Sequence, residues 1–242
     1  MSAGLDLATG RRLAVGRDRR FFGGMAVAVA VTVFAGFARS YYLKSAFGSP
    51  ALSPLIHLHG LLFTCWILLF AVQTTLISAG RTDIHRKTGV LGAVLAVAMV
   101  GLGLLAAIGL ARRGVDPSGR GQPLQFMAIP LFDLLMFGTL VGLALYWRLR
   151  SRVHKRLMLL GTIALLPPAL FRIPILAAAG LPVVFGIADL FVLACLVYDK
   201  VTYGRIHPAF LWGGLALVLS LPARLVVSAS DAWLSFARML TS

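Results

Sequence analysis

Residues 55–112 decide the fold: LIHLHGLLFTCWILLFAVQTTLISA (55–79), GRTDIHRKT (80–88) and GVLGAVLAVAMVGLGLLAAIGLAR (89–112). Two nearly charge-free runs, each long enough to cross a hydrocarbon core of about 30 Å as a helix, flank a loop carrying Arg81, Arg86 and Lys87. In lipid every backbone N–H and C=O must be satisfied within the protein, and neither run has the short alternation of barrel strands. The stretch therefore reads as a transmembrane helical hairpin with a basic turn.

The same pattern extends in both directions. Apolar runs at 21–43, 124–147, 157–178, 182–198 and 209–229 bring the expected count to seven spans, so the fold class is an all-α, polytopic integral membrane protein. The run beginning at 21 is too long for the apolar core of a secretory signal and reads as an uncleaved first span. Residues 1–20 form a basic tail, 21–229 one seven-helix transmembrane domain, and 230–242 a short amphipathic helix lying at the interface, anchored by Trp233. Composition agrees: 59% of the 242 residues are hydrophobic and 13% charged, against about 25% charged in soluble domains. Disorder is excluded by the same apolar content.

A formal charge of +15 invites a nucleic-acid reading. Its distribution argues against one, because the basic residues cluster in short loops between apolar runs. Arg11, Arg12, Arg17, Arg19 and Arg20 precede the first span; Arg81, Arg86 and Lys87 follow the second; Arg148, Arg150, Arg152, Lys155 and Arg156 follow the fourth; Lys200 and Arg205 follow the sixth. With seven spans all four groups share one side, expected to be cytoplasmic, with the N-terminus inside and the C-terminus outside. Arg112, Arg113 and Arg120 dissent on the other side. An Arg-rich chain without Glu or Asn matches a GC-rich bacterial genome, so the expected location is a bacterial inner membrane. Cys65 and Cys195 lie in apolar runs without CxxC spacing and read as small buried hydrophobes.

Charges inside a bilayer are costly and mark functional candidates. Arg39, Asp133, Arg172, Asp189 and Arg224 fall in the outer halves of five spans, and His57 and His59 open another on the same side. Arg172 and Asp189 flank the turn near Gly180 at similar distances, which predicts a buried ion pair between adjacent helices. Three arginines against two aspartates leave a positive excess suited to a carboxylate or a haem propionate. His59 is favoured over His57, being deeper and followed by Gly60. Gln73 is the one polar candidate of the inner half. Pro130, Pro167, Pro168 and Pro174 predict kinks beside these charges, and Gly101, Gly103, Gly213 and Gly214 predict close helix contacts. The loops before spans three, five and seven each place a basic residue ahead of a histidine (His85, His154, His207), as three repeated hairpins would. His85 and His154 form the best facing pair for the axial positions of haem b, with His59 as an outer candidate. No HxxxH, HxxHH or HExxH box points to another metal site.

The string His59, Gln73, Arg81, His85-Arg86, Gly89, His154-Lys155-Arg156, Met158 and Arg172 resembles a family of bacterial polytopic membrane proteins known only as a domain of unknown function. The likeness covers roughly residues 57–172; it implies the same helical membrane fold and carries no activity. The hairpin layout is also similar to cytochrome b561-type bundles, without their paired mid-helix histidines. The expectations are therefore a redox protein holding haem b or a quinone, a transporter or binder of a small anionic molecule, or an accessory subunit of a membrane complex, each partnered by the lipid bilayer and none by nucleic acid.

Overall fold

The computed structural model describes residues 2–117, 119 and 121–242, with side chains from Gly16 onward, so Arg120 and the side chains of Arg11 and Arg12 lie outside the described residues. All regular structure described is helical: α1 Ser2–Phe37, continued by a π-helical turn at Ala38–Tyr42, α2 Pro54–Ser78, α3 Thr82–Arg112, α4 Pro123–Phe126, α5 Ala128–Tyr146, α6 Ser151–Ile163, α7 Leu166–Leu170, α8 Pro174–Ala179, α9 Leu181–Tyr203, α10 Pro208–Ser228 and α11 Asp231–Thr241. Among the described residues six segments are long and apolar enough to cross a membrane: Gly16–Tyr42, Pro54–Ser78, Thr82–Arg112, Pro123–Tyr146, Leu181–Tyr203 and Pro208–Ser228. α1 passes through the basic stretch before residue 20 without a break.

The segment expected as a span at 157–178 is not one helix. Pro167 lies in the first turn of α7 and Pro174 opens α8; proline lacks an N–H and clashes with the preceding turn, and the closely spaced Pro167, Pro168 and Pro174 break the helix here. The broken segment nevertheless runs beside α1: Lys155 at its start meets Asp18, and Arg172 further on lies over Phe37 at the end of α1. Gly36 makes this crossing close, since a Cβ there would sit 2.1 Å from the carbonyl oxygen of Ala169.

The expected hairpins are neighbours in space, α2 with α3, α5 with α6 and α9 with α10. We call the end carrying the Arg81, Arg150 and Arg205 loops the basic end. The core is filled by Trp66, Phe137, Leu160, Leu166, Val184 and Phe210. Trp66 meets Phe137 edge to face and donates from Nε1 to Thr162 Oγ1 at 3.3 Å, tying α2, α5 and α6. Gly213 and Gly214 lie against Leu160 and Val192, and Gly103 against Leu134, whereas Gly101 faces open space.

Outward faces are apolar, as lipid contact requires: Val90, Val94 and Val97 on α3 and Val197 and Val201 on α9 are exposed. Cys65 is exposed too, correcting its reading as buried, because it falls in the helical stripe Leu61, Leu68 and Val72 on the outer face of α2. Cys195 is buried. Of the dissenting arginines, Arg112 donates to the carbonyls of Leu240 and Ser242, closing the end of α11. Trp233 of α11 is buried and donates from Nε1 to Leu124 O at 2.8 Å, so it anchors that helix to the protein.

Candidate functional site

The charges expected in one outer pocket separate into two clusters. In the first, α5 and α10 bring Asp133 and Arg224 together at 2.6 Å, both almost wholly buried. Arg224 also donates from Nε to Ser220 O, from Nη2 to Ser220 Oγ and from Nη1 to Ile129 O, with Phe185 under its guanidinium at 4.5 Å. Arg224 therefore does not snorkel to an interface; it is spent on the bundle interior. Asp133 Oδ1 takes Arg224, while Oδ2 is buried without a partner among the described residues. A cavity of about 20 Å³ opens here, lined by Asp133, Asp189, Ser220 and Arg224.

The predicted Arg172–Asp189 pair does not form. Arg172 turns to α1, laying its guanidinium over Phe37 at 4.4 Å and donating from Nη1 to Pro168 O, whereas Asp189 lines the cavity with Asp133. The error is rotational: equal distance from a turn sets depth, and the break at Pro167–Pro174 turns Arg172 away from α9. Arg39 leaves the set as well, exposed over Phe47 at 5.1 Å.

The second cluster joins α1, α2 and α7. Tyr41 crosses over Gly60 and donates to His57 O, which seats the π-helical turn on the start of α2. His59 packs on Phe63 with ring centroids 4.2 Å apart and feels the charge of Arg172. His59 Nδ1 and Ser40 Oγ are both buried with no hydrogen-bond partner, and no carboxylate pairs with Arg172 among the described residues. His57 is more exposed than His59.

At the basic end, His85 and His154 meet edge to face with ring centroids 6.2 Å apart. His154 Nδ1 lies 2.8 Å from Ala144 O, His85 Nδ1 is buried without a partner, and Gln73 Nε2 donates to Thr88 Oγ1 at 3.0 Å and to His85 O while its Oε1 has none.

The expectation that the inner half holds nothing beyond Gln73 is wrong. Arg156 and Asp199 form a buried bidentate pair, Nη2 to Oδ1 at 2.5 Å and Nε to Oδ2 at 2.9 Å, and Asp199 Oδ2 also accepts the His207 N–H. Beside it Asp18 accepts Lys155 and the hydroxyls of Tyr198 and Tyr203. Burial, then the charge of Arg156, lowers His207, whose Nδ1 accepts the Ala209 N–H and caps α10. A signal was present in the sequence: with eight acids against 23 bases, Asp18 and Asp199 beside apolar runs each needed a partner.

Fold and site together define a multi-pass helical membrane protein with ionisable residues gathered toward both ends of the bundle. No protein-family model, no curated protein and no solved structure matches the chain.

Proposed function

We propose that this is a seven-crossing membrane protein, with the broken α6–α8 segment as one crossing and the basic end cytoplasmic, which binds a small oxyanion at its outer end through Arg172, His59 and Ser40. The basic loops support the orientation through the excess of Lys and Arg that cytoplasmic loops carry. One observation carries the ligand class: a guanidinium with no acid partner among the described residues acts on a histidine whose buried Nδ1 is unmet, and the π-helical turn that seats on the same helix start holds a second unmet atom, Ser40 Oγ. Native proteins satisfy such groups, and a carboxylate or phosphate accepts from all three. Carrier or receptor activity for that anion follows as the working role, in a bacterial inner membrane. The test is binding of radiolabelled phosphate and acetate to the purified full-length protein in detergent. Arg172→Ala should weaken binding at least about tenfold, the value of one lost charge-assisted hydrogen bond; unchanged affinity, or no saturable binding of either anion, defeats the reading.

The approach of His85 to His154 favours a second reading, a redox protein in which these two rings would hold haem b. A carbonyl fixing one imidazole nitrogen, as Ala144 O does for His154, is the usual support of a ligating histidine. Haem would supply one-electron chemistry. A Soret band in protein expressed with added haem, lost in His85→Ala and His154→Ala, supports this reading, and its absence removes it.

A further inference from the structure

The cavity among α5, α7, α9 and α10 holds more oxygen than Arg224 uses. Asp133 is 4% exposed and its Oδ2 has no partner. Asp189 lines the same cavity and makes no ion pair among the described residues. The helix break adds to this supply. Pro167 and Pro168 have no N–H to offer the carbonyls of Ile163 and Ala164 one turn earlier, no backbone N–H from outside their helix is bonded to either, and both residues line the cavity. A broken helix that frees carbonyls beside acidic side chains is how membrane proteins build cation sites at depth.

Charge selects the ion. Asp133 and Asp189 bring two negative charges and Arg224 one positive, and no other lining residue is charged, whether from α5, from the α6–α7 break, from α9 or from α10. One negative charge is left over where uncompensated charge is costly. A monovalent cation neutralises it, while a divalent one would leave a positive excess beside a guanidinium. Oxygen donors suit a hard ion, and about 20 Å³ admits one body of water size. We propose that this cavity binds one sodium-like cation through Asp133 Oδ2, the Asp189 carboxylate and the Ile163 and Ala164 carbonyls, with Arg224 fixing the Asp133 carboxylate by its other oxygen.

The experiment is radioactive sodium binding to the full-length protein in detergent, with no oxyanion present, so that its outcome is separate from the phosphate and acetate measurements. Saturable binding at one site per chain is expected, weakened about tenfold or more in Asp189→Asn. In parallel, the thermal midpoint should rise in sodium chloride over choline chloride of equal ionic strength, and this rise should vanish in Asp189→Asn. No saturable binding by the wild type overturns the proposal. So does an equal midpoint in both salts, a sodium-dependent rise retained in Asp189→Asn, or stabilisation by acidification alone, which would make the occupant a proton.

Discussion

Two corners of the bundle, one beside Asp18 and one beside Phe37 of α1, hold similar side chains and treat them in opposite ways. At the basic end Arg156 spends itself on Asp199, on Arg152 O and on the rings of Tyr203 and Phe210, and both oxygens of Asp199 are taken. At the other end Arg172 has one carbonyl and one phenyl ring, and the His59 on which its charge acts has an unmet Nδ1 among the described residues. A closed network holds helices together; an open one has bonding capacity left for a ligand. Burial of a charge therefore does not identify a site; unmet bonding capacity does, here at an exposed guanidinium that acts on a histidine with a buried, unmet Nδ1.

The comparison breaks most directly at Arg156. Arg156→Ala or Asp199→Ala leaves one uncompensated buried charge and should cost about 3–5 kcal/mol, read as a fall in thermal midpoint in detergent. Replacing both with Met and Leu should recover most of that loss. Equal damage from the double and single variants would show that the pair does more than neutralise itself.

Gly36→Ala should have the next largest effect. Its methyl meets the backbone of Ala169, which cannot rotate aside, so α7 must shift at a cost of about 1–3 kcal/mol. Because Arg172 follows on that segment, phosphate or acetate binding should fall with it. Stability lost with anion affinity kept would detach α7 from the binding corner.

Acid should act on the closed corner through His207. His207 caps α10 only as a neutral ring, and burial together with Arg156 holds its pKa below the ordinary value of about 6.5. The folded state thus prefers the neutral form: its contribution is complete above the unfolded value and is lost as pH falls through the lower folded value. The cap should be worth about 1 kcal/mol, seen as a midpoint drop below neutrality that is missing in His207→Ala.

Arg172→Ala should change stability least, by about 1 kcal/mol at most, the worth of its stacking on Phe37, since no acid is stranded. A loss as large as that of Arg156→Ala would show an unrecognised partner and close the open corner.

Much of the frame was legible in the residues. The six long apolar helices and the hairpins around the basic loops follow from runs of side chains whose preference for lipid needs no partner. Pro167, Pro168 and Pro174 marked the segment that breaks. The pairings were not legible. Counting along helices set the depth of Arg172 and Asp189 but not the direction each faces, and the same count passed over Asp199, which lies at a helix end and is nonetheless fully buried.

The sequence by itself determined that the chain is helical, apolar enough to cross a membrane several times, and basic at one end, because hydropathy and backbone satisfaction act locally. Only the tertiary structure decided that Asp133 belongs to Arg224, Asp199 to Arg156, and that Arg172 stands without an acid. Those choices depend on the rotation of each helix about its axis and on which neighbour it meets, quantities that emerge only when all the helices pack at once.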